Sequence, residues 1–453
     1  MAAASGRLPD ETLRDVQGFI ASGYGHLPHT AYLFVGVDDT AAARRWIGQL
    51  AGSITTARRW PIGSDGRRIK PASAINVAFT ALGLSACGLP PAVHCTFPPE
   101  FLEGVAVPHR SRILGDTEES APATWELGGP ANPPVHALII IHAATDAELD
   151  ARIADQRRLL DESAGGVTEL PASLQRGYRP ANDREPFGFR DGIAQPAIAG
   201  LAGSGVPTGE FILGYENHYR SIPPTPVVPA ELDPDGILPP LDNPYHAATA
   251  LRDFGRNGSY VVYRKLAQDV AGFWRFMKEE AIRLHGEADP VYIVWLAARF
   301  VGRWPSGAPL ALFPDADDPR HGGRDDFLYG HDPAGLACPM GAHVRRTNPR
   351  DAIRPNPAQQ SLSMSEAHRL LRRGRVFGPP LFDPLLLQTA KGDALHELRD
   401  DGRPRGTHFL CVNASIRSQF EFVQQTWCNN PHFSGLHDNT DPIAGDAGRT
   451  GES

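Results

Sequence analysis

The stretch HALIIIHAATDAELDARIADQRRLL, His136 to Leu160, decides the fold. Its opening HALIIIHAA is an apolar run short enough for a buried strand. Thr145, followed by ELDARIADQRRLL, then reads as the cap and body of an amphipathic helix, because a hydroxyl there can accept from the first free amides. The same unit occurs upstream: AYLFVGV, Ala31 to Val37, is a second short apolar run, and Asp38 or Asp39 can cap the helix suggested by TAAARRWIGQL. With a strand near Ala74 to Thr80 between them, the two units fit a βαββαβ arrangement.

The second half uses the same vocabulary. SYVVYRKL, Ser259 to Leu266, alternates like a strand and precedes the helical pattern DVAGFWRFMKEEAIRL, Asp269 to Leu284. Near the end THFLCVNAS predicts a strand and SIRSQFEFVQQTW, Ser415 to Trp427, a helix. The reading is a duplicated α+β architecture with an N-terminal unit over 1–200, a C-terminal unit over 201–453, and long loop insertions near 220–250 and 305–335. Eight prolines between Ser221 and Pro244 exclude a continuous helix or central strand there. Nothing beyond Trp427 reads as the closing strand of the second unit, and the polar, Gly- and Asp-rich last ~15 residues read as a disordered tail.

Composition bounds the function. A chain of 453 residues is long enough for two domains and for burial of a cofactor-sized site. The net charge of -8 gives no basic footprint for a nucleic acid. Five cysteines at irregular spacing, with no CxxC or CxxCH, argue against a disulfide framework, a thiolate zinc site and covalent haem attachment. The N-terminus lacks a basic region followed by an apolar one, and the longest apolar run is far too short to span a bilayer. These features read as a cytoplasmic, soluble protein without a membrane partner.

Three segments could carry chemistry. GFRDGIAQP, Gly188 to Pro196, sets Asp191 between two glycines, which reads either as a plain Asp-Gly turn or as a carboxylate held close to a ligand. His343 stands in CPMGAHVRRTNPR beside Arg345, Arg346 and Arg350. It reads either as a structural histidine on a solvated basic face or as a neutral imidazole ligand to haem iron with arginines near the propionates. HRLLRRGRVFG, His368 to Gly378, holds Arg369, Arg372, Arg373 and Arg375. A charge run of this kind is usually solvated, but one guanidinium aimed into a pocket would stabilise peroxide oxygen as it becomes negative. A nearby carboxylate could then move the peroxide proton between oxygens.

Taken together, these segments resemble the dye-decolourising peroxidases, a family of haem enzymes, over nearly the whole chain. GFRDG is similar to the family's GxxDG pattern, and INVAFTALGLSACGLP, GEFILGYENHY, NGSYVVYRKLAQDV, GRWPSGAPL and SQFEFVQQTW follow in the family's order. The length and the long middle insertion resemble the family's larger subgroups. The resemblance implies two ferredoxin-like domains with antiparallel sheets, of the dimeric α+β barrel-like kind, and one non-covalent haem b per chain. It implies that His343 is the proximal iron ligand, Asp191 the distal acid and Arg372, rather than Arg373, the distal arginine. Asn348, Pro349 and Arg350 would line the haem, with Arg350 as propionate partner. Gly192, Ile193 and Ala194 would present backbone to it, and Phe409 would cover its distal face. Thr407 stands where relatives carry a bulky aliphatic residue, which predicts a more open or more polar distal pocket. Relatives also continue beyond a DPIAG-like segment into a final strand, and no such strand is expected before Ser453.

The activity so implied is reduction of hydrogen peroxide coupled to one-electron oxidation of dyes and phenolic or other aromatic donors, a homo-oligomer being compatible with it. Tyr329 and Trp427 are candidate surface relays for bulky donors, or else ordinary core aromatics. A haem-binding or haem-handling protein is the competing reading, which the combination of Asp191 and Arg372 disfavours because a carrier needs neither proton relay nor charge stabilisation. A hydrolase built on Asp191 lacks a GxSxG-type nucleophile motif.

Overall fold

A computed structural model describes residues 7–203, 205–241, 250–385 and 399–446. The N-terminal half begins with β1 (His29–Val37), β2 (Ser73–Phe79) and β3 (Ala137–Ala143), followed by the short β4 (Val167–Glu169) and β5 (Gln175–Tyr178). Helices Thr40–Ala51 and Asp146–Asp161 cross between them. Each helix starts where the sequence supplies an acceptor: Asp39 takes the Ala42 amide at 2.6 Å and Thr145 the Glu148 amide at 3.2 Å. Such caps contribute about 1 kcal/mol each and set the boundary. Burial holds the helices in place, since each fully buried Leu or Ile contributes about 1.5–3 kcal/mol.

The near-continuous apolar character of β1 and β3 has a structural cause, because both faces are covered. Leu33, Val35, Ile139 and Ile141 pack against Trp46, Leu149 and Ile153 of the helices. Tyr32, Phe34, Leu138 and Ile140 turn the other way and meet Leu371, Leu410 and Val412 from the second half. The registers Leu33↔Ile139 and Val77↔Ile139 make β3 the middle of this antiparallel group.

The second half follows an insertion that carries a small ribbon, β6 (Val227–Pro229) with β7 (Leu251–Asp253). Residues 242–249 of that insertion lie outside the described residues. Its main strands are β8 (Tyr260–Ala267), β9 (Leu371–Arg372), β10 (Arg375–Phe377) and β11 (Gly406–Asn413). Helices Val270–His285 and Pro290–Val301 follow β8 and pack around Trp274, Trp304 and Tyr329. The large sheet runs β2-β3-β1-β5-β10-β11-β8, with β4 beside β1 and β9 beside β11. The halves therefore share one sheet through the pairing of Val376 with Tyr178. The N-terminal half has the ferredoxin-like strand order, the second half has that order without the closing strand among the described residues, and the architecture is α+β with antiparallel pairing.

Two expectations need correction, and one open alternative is decided. SIRSQFEFVQQTW is helical, but wound with wide turns, as in the Glu421 amide bonding to the Ile416 carbonyl. Its start is pinned by Gln419, whose side chain accepts from the Ala414 and Ser415 amides and donates to the Glu210 and Arg369 carbonyls. The polar tail is folded as far as it is described: Asp441 is buried, and residues 447–453 lie outside the described residues. Tyr329 and Trp427 are core aromatics at 0% and 3% exposure, so neither is a surface relay. Among the described residues no strand follows Asn413, and no helix is long and apolar enough to cross a membrane.

Candidate active site

Strand geometry aims the first functional group. On β9, Leu371 enters the core shared by the two halves, so Arg372 projects from the opposite face. Arg372 pairs with Cys411 on β11, which puts it on the same face as Phe409 and Thr407. Arg373 turns back and gives its Nε and Nη2 donors to the Phe19 and Ile20 carbonyls.

The Asp191 loop comes to meet Arg372. Gly188 has φ +97°, and a Cβ there would lie 2.3 Å from Pro384 Cγ, so a side chain is excluded on both counts. Gly192 has φ +80° and open space where its Cβ would be. Gln195 accepts the Arg372 amide at 2.9 Å and fixes the loop to β9. Arg372 Nη1 then donates to Asp191 Oδ1 at 2.9 Å. About half of the Asp191 side chain (49%) remains reachable by water, yet burial is the largest single influence on its acidity. Burial raises this carboxyl, and the Arg372 charge, the Gly192 amide and the His343 charge together outweigh it, leaving the acid below its ordinary value.

His343 opens the short helix His343–Thr347. Its Nδ1 lies 3.0 Å from both oxygens of Asp441, whose Oδ1 also accepts the Ile443 and Ala444 amides at 2.9 Å. Burial lowers the imidazole pKa, but the Asp441 charge and hydrogen bond raise it further, so the net shift is upward. Asp441, buried as well, is held below the ordinary carboxylate range by His343 and the two amides. The carboxylate orients the ring through Nδ1 and leaves Nε2 without a hydrogen-bond partner among the described residues. The charges of Asp191 and Arg372 both act on His343, so the three groups lie within electrostatic reach of one another.

Arg345 and Arg346 fit neither reading of the sequence. Arg345 and Arg346, at 1% and 0% exposure, are not on a solvated face. Nor are they available to a ligand: Arg345 is paired with Asp332 at 3.0 Å, and Arg346 donates to the Trp427, Cys428, Asn430 and Asn439 carbonyls. Arg350 is buried at φ +53° with Nη1 on the Asp325 and Phe327 carbonyls and Nη2 on the Asp325 carboxylate. Only its Nε lacks a partner among the described residues. Pro349 is buried and Asn348 half-buried beside it, while Ile193 and Ala194 are half-buried next to Gly192. Phe409 is half-buried over the Phe420 ring at 6.1 Å.

Three groups went unrecognised in the sequence. Asp441 belongs to the DPIAG segment, whose acid was the available signal. Arg369 is half-buried, carries no ion pair among the described residues, and lies within electrostatic reach of Arg350, Arg372 and Asp325. Glu185 begins a polar chain: it accepts from Gln268 at 2.7 Å, and Gln268 accepts from Thr407 at 3.0 Å. Burial pushes the Glu185 carboxyl up to about 7 despite Gln268 and the Phe189 and Phe187 amides, with Asp191 adding to the rise. Thr407 thus adds a polar group on the face that Arg372 shares, and no signal in the sequence pointed to Glu185.

Fold and site together define a duplicated α+β scaffold in which an imidazole backed by a carboxylate lies within electrostatic reach of an acid-arginine pair. The chain is a homologue of the dye-decolorizing peroxidases over most of its length. It is 25% identical over 451 residues to dye-decolorizing peroxidase msp1 of Mycetinis scorodonius, covering 98% of this chain and 79% of the relative. It is 29% identical over 439 residues to dye-decolorizing peroxidase AauDyP1 of Auricularia auricula-judae, covering 92% and 74%. The crystal structure of AauDyP complexed with imidazole superposes with a TM-score of 0.72 at 25% identity, over 95% of this chain and 88% of that one. No family model matches the chain.

Proposed function

We propose that this chain is a haem peroxidase that reduces hydrogen peroxide and oxidises dyes and phenolic or other aromatic donors in one-electron steps. The observation that carries the reading is the Asp191–Arg372 pair lying within electrostatic reach of the His343–Asp441 pair.

The residues present suit a haem. Asp441 accepts the Nδ1 proton, so His343 offers the Nε2 lone pair that iron requires. The Nε of Arg350, orphaned and buried, and the unpaired guanidinium of Arg369 supply donors for anionic propionates. Gly192, Ile193, Ala194, Asn348 and Pro349 would wall the site, and Phe409 would cover its distal side. Haem b, bound without covalent attachment, supplies the iron at which the peroxide bond is cleaved and through which electrons from the donor pass.

The protein's own part is proton transfer and charge. Held below the ordinary carboxylate range, Asp191 is ionised at neutral pH and can take the proton from one peroxide oxygen and return it to the other. Arg372 holds that carboxylate in place and stabilises negative charge on the departing oxygen. The absorbance of the haem-loaded protein, before and after one equivalent of peroxide, tests the reading. Absence of a Soret band, or a Soret band that peroxide leaves unchanged, would overturn it.

A further inference from the structure

Away from this site, the segment 57–71 concentrates five cations, Arg58, Arg59, Arg67, Arg68 and Lys70, against one acid, Asp65, in a chain of net charge -8. It folds as a hairpin closed by a bridge between Ile62 and Arg68, with Arg68 Nη1 donating to the Trp60 carbonyl at 3.0 Å. Beneath it lies a cleft of about 230 Å³ bounded by Arg7, Arg58, Arg59, Arg68, Trp60 and Tyr24. No acidic residue lines it, and none of the four guanidinium groups has an ion-pair partner among the described residues.

Tyr24 is an independent sign of a ligand. It is 1% exposed and is among the residues that bound the cleft, and its buried hydroxyl has no hydrogen-bond partner among the described residues. An orphaned buried hydroxyl costs about 1–3 kcal/mol unless something meets it. Burial keeps the phenol protonated, against the opposing charge of Arg373, so it serves as a donor. The backbone is strained to put it there, at φ +47°. Gly18 is kept without a side chain beside it, since a Cβ would lie 2.2 Å from the Tyr24 oxygen. Across the cleft the Trp60 indole is braced at 5.0 Å by His26, whose ring is in turn bonded to the Pro71 carbonyl at 3.2 Å.

We infer that this cleft binds a small aromatic acid, its ring against Trp60 and its carboxylate among the arginines and the Tyr24 hydroxyl. The volume is below the roughly 300–1,000 Å³ of sites for drug-sized ligands, so it suits a single ring. Planar guanidinium groups match a carboxylate by paired donors and pack on aromatic faces. A long polyanion fits less well, because a cleft of about 230 Å³ holds little more than a single ring.

Titration calorimetry of the haem-loaded full chain, with benzoate and with its neutral isostere benzamide, tests this. Benzoate is expected to bind at least about tenfold more tightly than benzamide, more weakly in 0.3 M salt, and with unchanged affinity when cyanide occupies the haem. The double variant Arg58→Gln, Arg59→Gln, both positions being exposed, is expected to weaken benzoate about tenfold or more, and Tyr24→Phe about threefold or more. No heat with benzoate, equal affinity for benzamide, or an unaltered affinity in the double variant would overturn the inference. Loss of binding on adding cyanide would do so too, by placing the ligand at the haem.

Discussion

The proposed role of the His343–Asp441 pair in holding haem can be tested by replacing Asp441 with Asn, which keeps the side-chain shape and removes the charge. In the native protein the carboxylate meets His343 Nδ1 at 3.0 Å from each oxygen and takes two amides at 2.9 Å on Oδ1, with its side chain 0% exposed. An asparagine oxygen in the Oδ1 position would keep both amides and a neutral bond to the ring. A bond to a charged partner contributes about 1.5–3 kcal/mol and a neutral one about 0.5–1.5, so the loss is about 1–2 kcal/mol. That corresponds to haem held about 5–30-fold less tightly, near the low end of the 10–100-fold typical for partners of a ligating histidine. The assay is the rate of haem transfer to excess apomyoglobin, beside thermal melts of the haem-free chain. Asp332→Asn serves as control, since that buried acid pairs with Arg345 instead of His343. If Asp441→Asn lowered the melt like the control while haem left at the native rate, the orienting role would be refuted.

Asp191→Asn is expected to slow peroxide-dependent dye oxidation by about 10²–10⁴-fold while the Soret band is retained; a loss below tenfold would remove the proton relay. Glu185 gives a pH signature. Its carboxyl, ordinarily near 4.5, is raised to about 7 in the folded chain, so the folded state binds the proton more tightly. The associated stability is full below 4.5 and is lost as pH rises through about 7, by about 3 kcal/mol in all. Thermal melts at pH 5 and pH 8 should therefore show Glu185→Gln gaining on the native protein as pH rises, and a pH-independent difference would refute this. Arg345→Met leaves Asp332 buried without its partner and should cost about 3–5 kcal/mol in denaturant unfolding, with no change in dye specificity.

The strand-helix units were legible because their signals are local. A run such as HALIIIHAA followed by Thr145 needs only a dozen residues to declare a strand, a cap and a helix, and the helix begins one residue after the expected cap. What the sequence could not declare is that β5 and β10 join the halves into one sheet. The contact is a single register pair 198 residues apart, Tyr178 with Val376, and neither segment is long or apolar enough to announce it. The wide turns of 417–428 escaped for a related reason. The acceptors that pin Gln419 are at Glu210 and Arg369, so the sequence pattern of that helix alone carries no trace of them.

Asp191, His343 and Arg372 stood in segments that could be singled out, yet the paired residues lie 181 positions apart for Asp191 with Arg372 and 98 for His343 with Asp441. The arginines show why local rules then fail. A run such as HVRR reads as solvated only if no buried acceptors are at hand, and this chain has many, because 46 glycines and 42 prolines leave long stretches of backbone outside helices and sheets. Arg346 satisfies four such carbonyls, two of them, Asn430 and Asn439, on the irregular segment that leads to Asp441. Three residues after His343, it ties the strip carrying the acid to the helix carrying the imidazole. The basic run beside the histidine therefore serves the site by positioning Asp441, a role visible only once the fold supplies the carbonyls that the guanidinium holds.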